Sequence, residues 1–300
     1  MKKKMKSLLK TKVLTFITLL SMSTQAQNFR KLNAGKFNLD VYNASESSFG
    51  VASVVVSGQT EAVLLDAQFT LADAETVAKQ IKDSGKKLKA IYVSHNDPDF
   101  YFGLEVFKRY FPEVTAYAAP KVVEEISRTA QKKLDVWGGQ LGSAITSNVV
   151  LPQVLKGNSI ELEGKKLEII GLDEFPSRTF VYIPSIKTVQ GGINVFGNSF
   201  NLWMADAQTA EARNKWINVL DKIIALQPSI VIPAHGKNSD ILDLTSVKHS
   251  KEYIQFYENA LKTNKTSVAL VNAIKTQYPD LTFETALQIG AKVNTGEMKW

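Results

Sequence analysis

The sequence predicts a mixed α/β fold in which two β-rich halves each lead into alternating strand and helix, with a helical stretch closing the chain. Three observations carry this expectation. Runs of β-branched residues bounded by Gly and Ser turns fill Leu39 to Phe69 and return between residues 159 and 196. Capped amphipathic periods separate later strands, as in Ala74, Val77, Ala78 and Ile81 behind Thr70 and ahead of Gly85. From Leu244 to Trp300 the apolar residues recur only at helical spacing, with Tyr253, Phe256 and Ala260, then Val268, Val271 and Ile274. Halves built to one plan suggest two sheets packed face to face with helices outside.

Taken in order, residues 1–26 read as a cleaved leader. Lys2, Lys3, Lys4, Lys6, Lys10 and Lys12 precede the apolar run Val13 to Met22, and Thr24 and Ala26 suit a small-residue cleavage site. The run is about half of the ~20 residues a membrane span requires, so the mature chain, Gln27 onward, is expected without a membrane span and in the periplasm or outside the cell. The formal charge of +7 belongs largely to this leader; the remainder is near neutral, at about +1, which gives no footprint for nucleic acid. There is no cysteine, which excludes disulfides and leaves any metal to nitrogen and oxygen ligands.

The runs LDVYNAS, GVASVVVSG and EAVLLDAQF predict strands, the last ending in Asp66, a position expected to be structural. Ala90 to Val93 form a buried strand, and Gly103 opens a helix with Leu104, Val106, Phe107, Tyr110 and Phe111. A strand over Val114 to Ala119 feeds a helix from Pro120 to about Leu134, with Val122, Val123, Ile126 and Ala130 inward. Residues 136–157 are glycine-rich with little period and read as a loop near a site mouth, where Trp137 lines a pocket or covers the core. SIELEG, KKLEIIGL, RTFVYIPSI and KTVQGGINVF predict the second set of strands, then a helix over Thr209 to Leu226 and the strand SIVIPAHG. The domain is drawn over 27–245, with 246–300 a helical extension packed on it and offering a surface for a homodimer.

Chemistry concentrates in the turn after the Ala90–Val93 run, where His95, Asp97 and Asp99 alternate and Pro98 stiffens the chain. An imidazole and two carboxylates in so tight a turn suit a first-row divalent metal, and loops at strand carboxyl ends are where α/β folds place their sites. Read alone, the same turn is better taken as a polar turn whose aspartates bond nearby backbone N–H groups. His235 follows the second such strand end in Pro233-Ala234-His235-Gly236, whereas His249 falls among lysines on a polar helix face and is expected at the surface. Gly197-Asn198-Ser199-Phe200-Asn201 lacks the last glycine of a nucleophile elbow, and no phosphate-binding glycine loop occurs.

The stretch from His95 to Gly103 resembles the metal-binding signature of the metallo-β-lactamase superfamily, H-x-H-x-D-H followed by glycine, with Asp97 at the second histidine position. Pro233-Ala234-His235-Gly236 is similar to the P-x-H-G that ends the same site. The resemblance spans residues 40 to 240 and implies a four-layer αββα sandwich, here with added C-terminal helices. It implies metal ligands at His95, Asp97, Asp99 and His235. Asn194, in Gly191-Gly192-Ile193-Asn194, stands for the bridging aspartate, and Asp173 is the nearest candidate for the third histidine. Phe100 falls on a histidine position and cannot ligate. A pair of cations would lack its anionic bridge, so the resemblance implies one zinc ion rather than two, or none. With one zinc, the expected function is hydrolysis of a small molecule by a metal-activated water oriented by Asp99, with Phe100, Tyr101 and Trp203 along the substrate. The alternative is a metal-free, non-catalytic member that binds a small ligand in the same pocket, with Phe100 in the space of a lost ligand.

Overall fold

A computed structural model describes residues 29–300; the expected leader, 1–26, lies outside the described residues. The first sheet begins as an antiparallel meander of β1 (Phe29–Ala34), β2 (Phe37–Asn43), β3 (Ala52–Ser57) and β4 (Glu61–Leu65). It continues in parallel through β5 (Lys87–Val93), β6 (Thr115–Ala118) and β7 (Gln153–Val154). Parallel neighbours need crossovers, which α1 (Leu71–Asp83), α2 (Leu104–Tyr110) and α3 (Pro120–Leu141) supply.

The second sheet joins β8 (Ser159–Leu162), β9 (Lys165–Ile170), β10 (Phe180–Ile183) and β11 (Thr188–Gln190) in antiparallel order. A crossover through α4 (Ala210–Ala225) then adds β12 (Ile230–Ile232) parallel to β11. Helices α5 (Leu244–Thr263), α6 (Ser267–Gln277) and α7 (Glu284–Asn294) complete the chain. Ser250 of α5 accepts the Phe196 N–H at 3.0 Å, and Asn294 of α7 donates to Met204 O at 2.9 Å, so these helices are bonded into the loops after β11.

Strand periodicity sorts the apolar residues into two cores. Val54, Val56, Val63, Leu65, Ala90 and Tyr92 face Leu162, Leu167, Ile169, Val181 and Ile183 between the sheets. Their neighbours Val55, Leu64, Ile91 and Val93 turn outward under the helices with Val77, Ile81, Val106 and Phe107. The result is the expected αββα order of layers. Thr70 caps α1 by accepting the Asp73 N–H, as its sequence position suggests.

Three details depart from the sequence reading. Strand β1 is an edge strand with no fully buried residue, so its sequence FRKLNA carries little apolar signal. Helix α3 runs on to Leu141, seven residues past the expected end, because Trp137 docks edge-on against Phe49 and Phe69 with ring centroids 5.4 Å away from each. His249 is not a surface residue: its Nε2 bonds Phe200 O at 3.0 Å, and Tyr253 and Tyr278 flank the ring. Among the described residues no helix is long and apolar enough to cross a membrane.

Candidate functional site

The site is built where β4, β5, β11 and β12 end. Asp66, just past β4, is fully buried with φ of 62° and accepts from the Ser94 N–H at 2.7 Å, Ser94 Oγ at 2.9 Å and Gln190 Nε2 at 2.8 Å. These bonds fix the start of the loop after β5. Burial pushes the Asp66 carboxyl up to about 7 despite them. The loop is fixed again further on, where Ala67 N–H donates to Phe100 O and Gly103 N–H to Gln68 O. A Cβ on Gly103 would stand 2.0 Å from Ala67 O, so only glycine fits there.

Between those fixed points the short 3-10 turn Pro98–Phe100 divides the polar side chains. His95 Nδ1 lies 3.3 Å from the Asp97 N–H and 3.4 Å from Asp97 Oδ2. Asp97 Oδ1 accepts from Lys133 Nζ of α3 at 2.9 Å, and the same ammonium donates to Asn96 O at 2.6 Å. Burial would raise the Asp97 carboxyl, but His95 and Lys133 outweigh it and hold it well below the usual carboxylate range. Asp99 turns the other way, with Oδ2 3.5 Å from His235 Nε2. Burial and the charge of Asp97 push its carboxyl well above the ordinary value.

His235 donates Nδ1–H to Phe49 O at 3.0 Å and stacks on Phe196 with centroids 4.9 Å apart. Its burial lowers the imidazole to about 4, leaving it neutral at pH 7. Phe100 has no exposed surface and stands edge-on to both imidazoles, its centroid 5.5 Å from His95 and 5.5 Å from His235. Asn194 is fully buried; Nδ2 donates to Arg178 O at 2.9 Å and Gly191 O at 3.2 Å, while Oδ1 finds no partner.

The structure therefore brings His95, Asp97, Asp99, Phe100 and His235 together, with Asn194 behind them. It does not bring Asp173, which is exposed in a separate depression with Asn158, Glu174 and Lys222. Phe100 and Tyr101 do not line an open pocket, since both are fully buried. Trp203 is half-buried in an aromatic group with Phe49, Phe283 and Trp300. Trp137 belongs to the same group through Phe49, on a helix rather than a loop.

Two cations were missed in the sequence. Lys133 reads as one more solvated lysine on an amphipathic helix. Arg178 stands in a turn before β10, and its guanidinium lies 4.3 Å over the Trp216 ring. Nothing local marks either as part of a site.

These donors do not fit a zinc ion. A catalytic zinc needs three protein ligands converging on one point, and among the described residues no three His, Cys, Asp or Glu side chains do so. The buried phenyl ring of Phe100 packs edge-on against both imidazoles, and Asp97 already has an ammonium as its counter-charge. What the arrangement offers chemically is polar recognition within an aromatic surround.

Comparison with known proteins agrees with this geometry at the level of the fold. Residues 48–185 match the sequence model of the metallo-beta-lactamase superfamily. No curated protein matches the chain in sequence. Among solved structures it is similar to a metallo-beta-lactamase from Pontibacter korlensis, at 17% identity and a TM-score of 0.52 over 76% of this chain and 99% of that one. It is also similar to the DIM-1 metallo-beta-lactamase, at 20% identity and a TM-score of 0.54, covering 76% and 97%. The IND-7 metallo-beta-lactamase shares 16% identity with a TM-score of 0.55, covering 76% and 99%. The signature turn and the αββα layers agree with that match, so residues 48–185 are similar to the metallo-beta-lactamase superfamily, with a degraded metal-binding motif.

Proposed function

We propose that this chain is a metal-free member of its superfamily that binds a small molecule beside the former metal site. One observation carries the reading: the buried Phe100 ring packs edge-on against both His95 and His235 while Lys133 pairs with Asp97. An ion entering there would have to displace a buried aromatic ring and break an ion pair. That pair is only partly buried, its side chains 22% and 24% exposed, so breaking it costs less than the several kcal/mol of a fully buried pair, and zinc would recover the cost only with a complete ligand set.

The test is metal content by mass spectrometry of protein purified without chelator or nickel, then challenged with zinc, manganese and iron. The expected result is well under one ion per chain. About one ion per chain, lost in His95→Ala and in His235→Ala, would instead establish a single-zinc hydrolase using a metal-activated water. Export to the periplasm or beyond belongs to the same proposal and is supported by the basic, apolar leader. N-terminal sequencing of the native protein should then begin at Gln27. A homodimer through the C-terminal helices is supported by Val268, 69% exposed on α6, and light scattering would read it.

A further inference from the structure

A buried guanidinium nitrogen is costly without a partner, and the half-buried Arg178 carries one. Its Nη1 is buried, and among the described residues it finds no hydrogen-bond partner. Burial depresses its basicity, while Asp206 and then Asp97 act to raise it from further away. Asp97 is already paired with Lys133, and Asp206 accepts from the Trp300 indole at 2.6 Å. An unpaired buried donor of this kind calls for an explanation.

A second orphan stands beside it. Asn194 spends its Nδ2 on Arg178 O and Gly191 O and leaves Oδ1 buried and empty. One indole links the two residues: the Trp216 ring lies under the Arg178 guanidinium, and its Nε1–H donates to the main-chain carbonyl of Asn194 at 2.9 Å. A fixed guanidinium fork selects a carboxylate or phosphate, while a carboxamide oxygen selects a proton donor.

We propose that Arg178 and Asn194 form a subsite for a small oxyanion carrying a neighbouring hydroxyl, such as an α-hydroxycarboxylate or a monoprotonated phosphate. The oxyanion accepts from the guanidinium, and the hydroxyl donates to Asn194 Oδ1. The proposal rests on the small-molecule reading above and names the ligand's polar end. Trp216 is the positioning residue, since it lies under the Arg178 guanidinium and fixes the Asn194 backbone.

The experiment titrates chelator-treated protein near pH 7 with glycolate, inorganic phosphate and acetate, following amide and arginine side-chain shifts by NMR. Glycolate and phosphate should bind saturably, with the largest shifts at Arg178 and Gly191 to Asn194. Acetate, which has the charge without the hydroxyl, should bind several-fold more weakly. Arg178→Gln should weaken glycolate and phosphate by at least about ten-fold, the loss of one charge-assisted hydrogen bond. Asn194→Asp should weaken them similarly by placing a carboxylate against the anion.

No saturable response to glycolate or phosphate would overturn the proposal, as would shifts centred elsewhere or binding unchanged in Arg178→Gln. Should that variant not fold, Arg178→Lys keeps the charge without the fork, and the wild-type shift map decides the location alone. Metal analysis of the same sample separates the two readings. A bound ion would refute the metal-free state and leave the oxyanion result to its own variants.

Discussion

Asp66 shows most directly how burial sets behaviour at the residue scale. Its carboxyl titrates near 7 in the folded chain against an ordinary 3.8, so the native state holds a proton that the unfolded state has lost. Its contribution to stability is therefore full below about pH 4 and declines as pH rises toward 7, by about 1.4 kcal/mol per unit. Asp66→Asn should remove that decline and gain on the order of 2 kcal/mol over the parent at pH 8. Urea unfolding of both proteins at pH 5 and pH 8 would show it. Gln190 can accommodate the change, because its Oε1 is buried without a partner and an amide flip presents it to the new Nδ2–H. Asp66 was legible because it ends a strongly apolar strand, His95 and His235 because they are two of the three histidines and follow such strands, and Asp99 because it shares the turn of His95. Lys133 and Arg178 were not, since their roles arise from contacts made 36 residues away to Asp97 and 38 residues away to Trp216.

At the scale of single elements, α3 illustrates tertiary packing overriding local preference. Gly138 and Gly139 argue for a chain break, yet the helix passes through both to Leu141 because Trp137 is held by Phe49 and Phe69. A Cβ at either glycine would meet nothing within 4 Å. Gly138→Ala with Gly139→Ala should then stabilise the protein by about 0.5–1 kcal/mol at each position, read as a higher thermal midpoint. The inner strands were legible through their period of two, and α1 and α4 through their threonine caps. Strand β1 and the end of α3 were not, since an edge strand and a docked tryptophan depend on neighbours distant in sequence.

Across the whole molecule the two sheets are tied at the end opposite the site. Glu163, in the β8–β9 turn, accepts the N–H groups of Gln59, Thr60 and Glu61 at 2.9, 2.7 and 3.0 Å, bridging to the β3–β4 turn. Those bonds lower its carboxyl to about 2 from an ordinary 4.5. The stabilisation is therefore complete above pH 4.5 and lost as pH falls through about 2. Glu163→Gln should be less stable than the parent at pH 7, and the gap should narrow between pH 4.5 and 2, a comparison made by thermal unfolding. A mixed α/β plan with two facing sheets was legible from the paired halves, while the four-layer αββα order came from the resemblance carried by the signature turn. The Lys133–Asp97 pair carries a different consequence for the molecule as a whole. A cation supplied by the chain is delivered during synthesis and assembled by folding, at one equivalent per molecule regardless of the surrounding ions. The counter-charge of Asp97 is thus set by folding alone and does not vary with the ions around the protein.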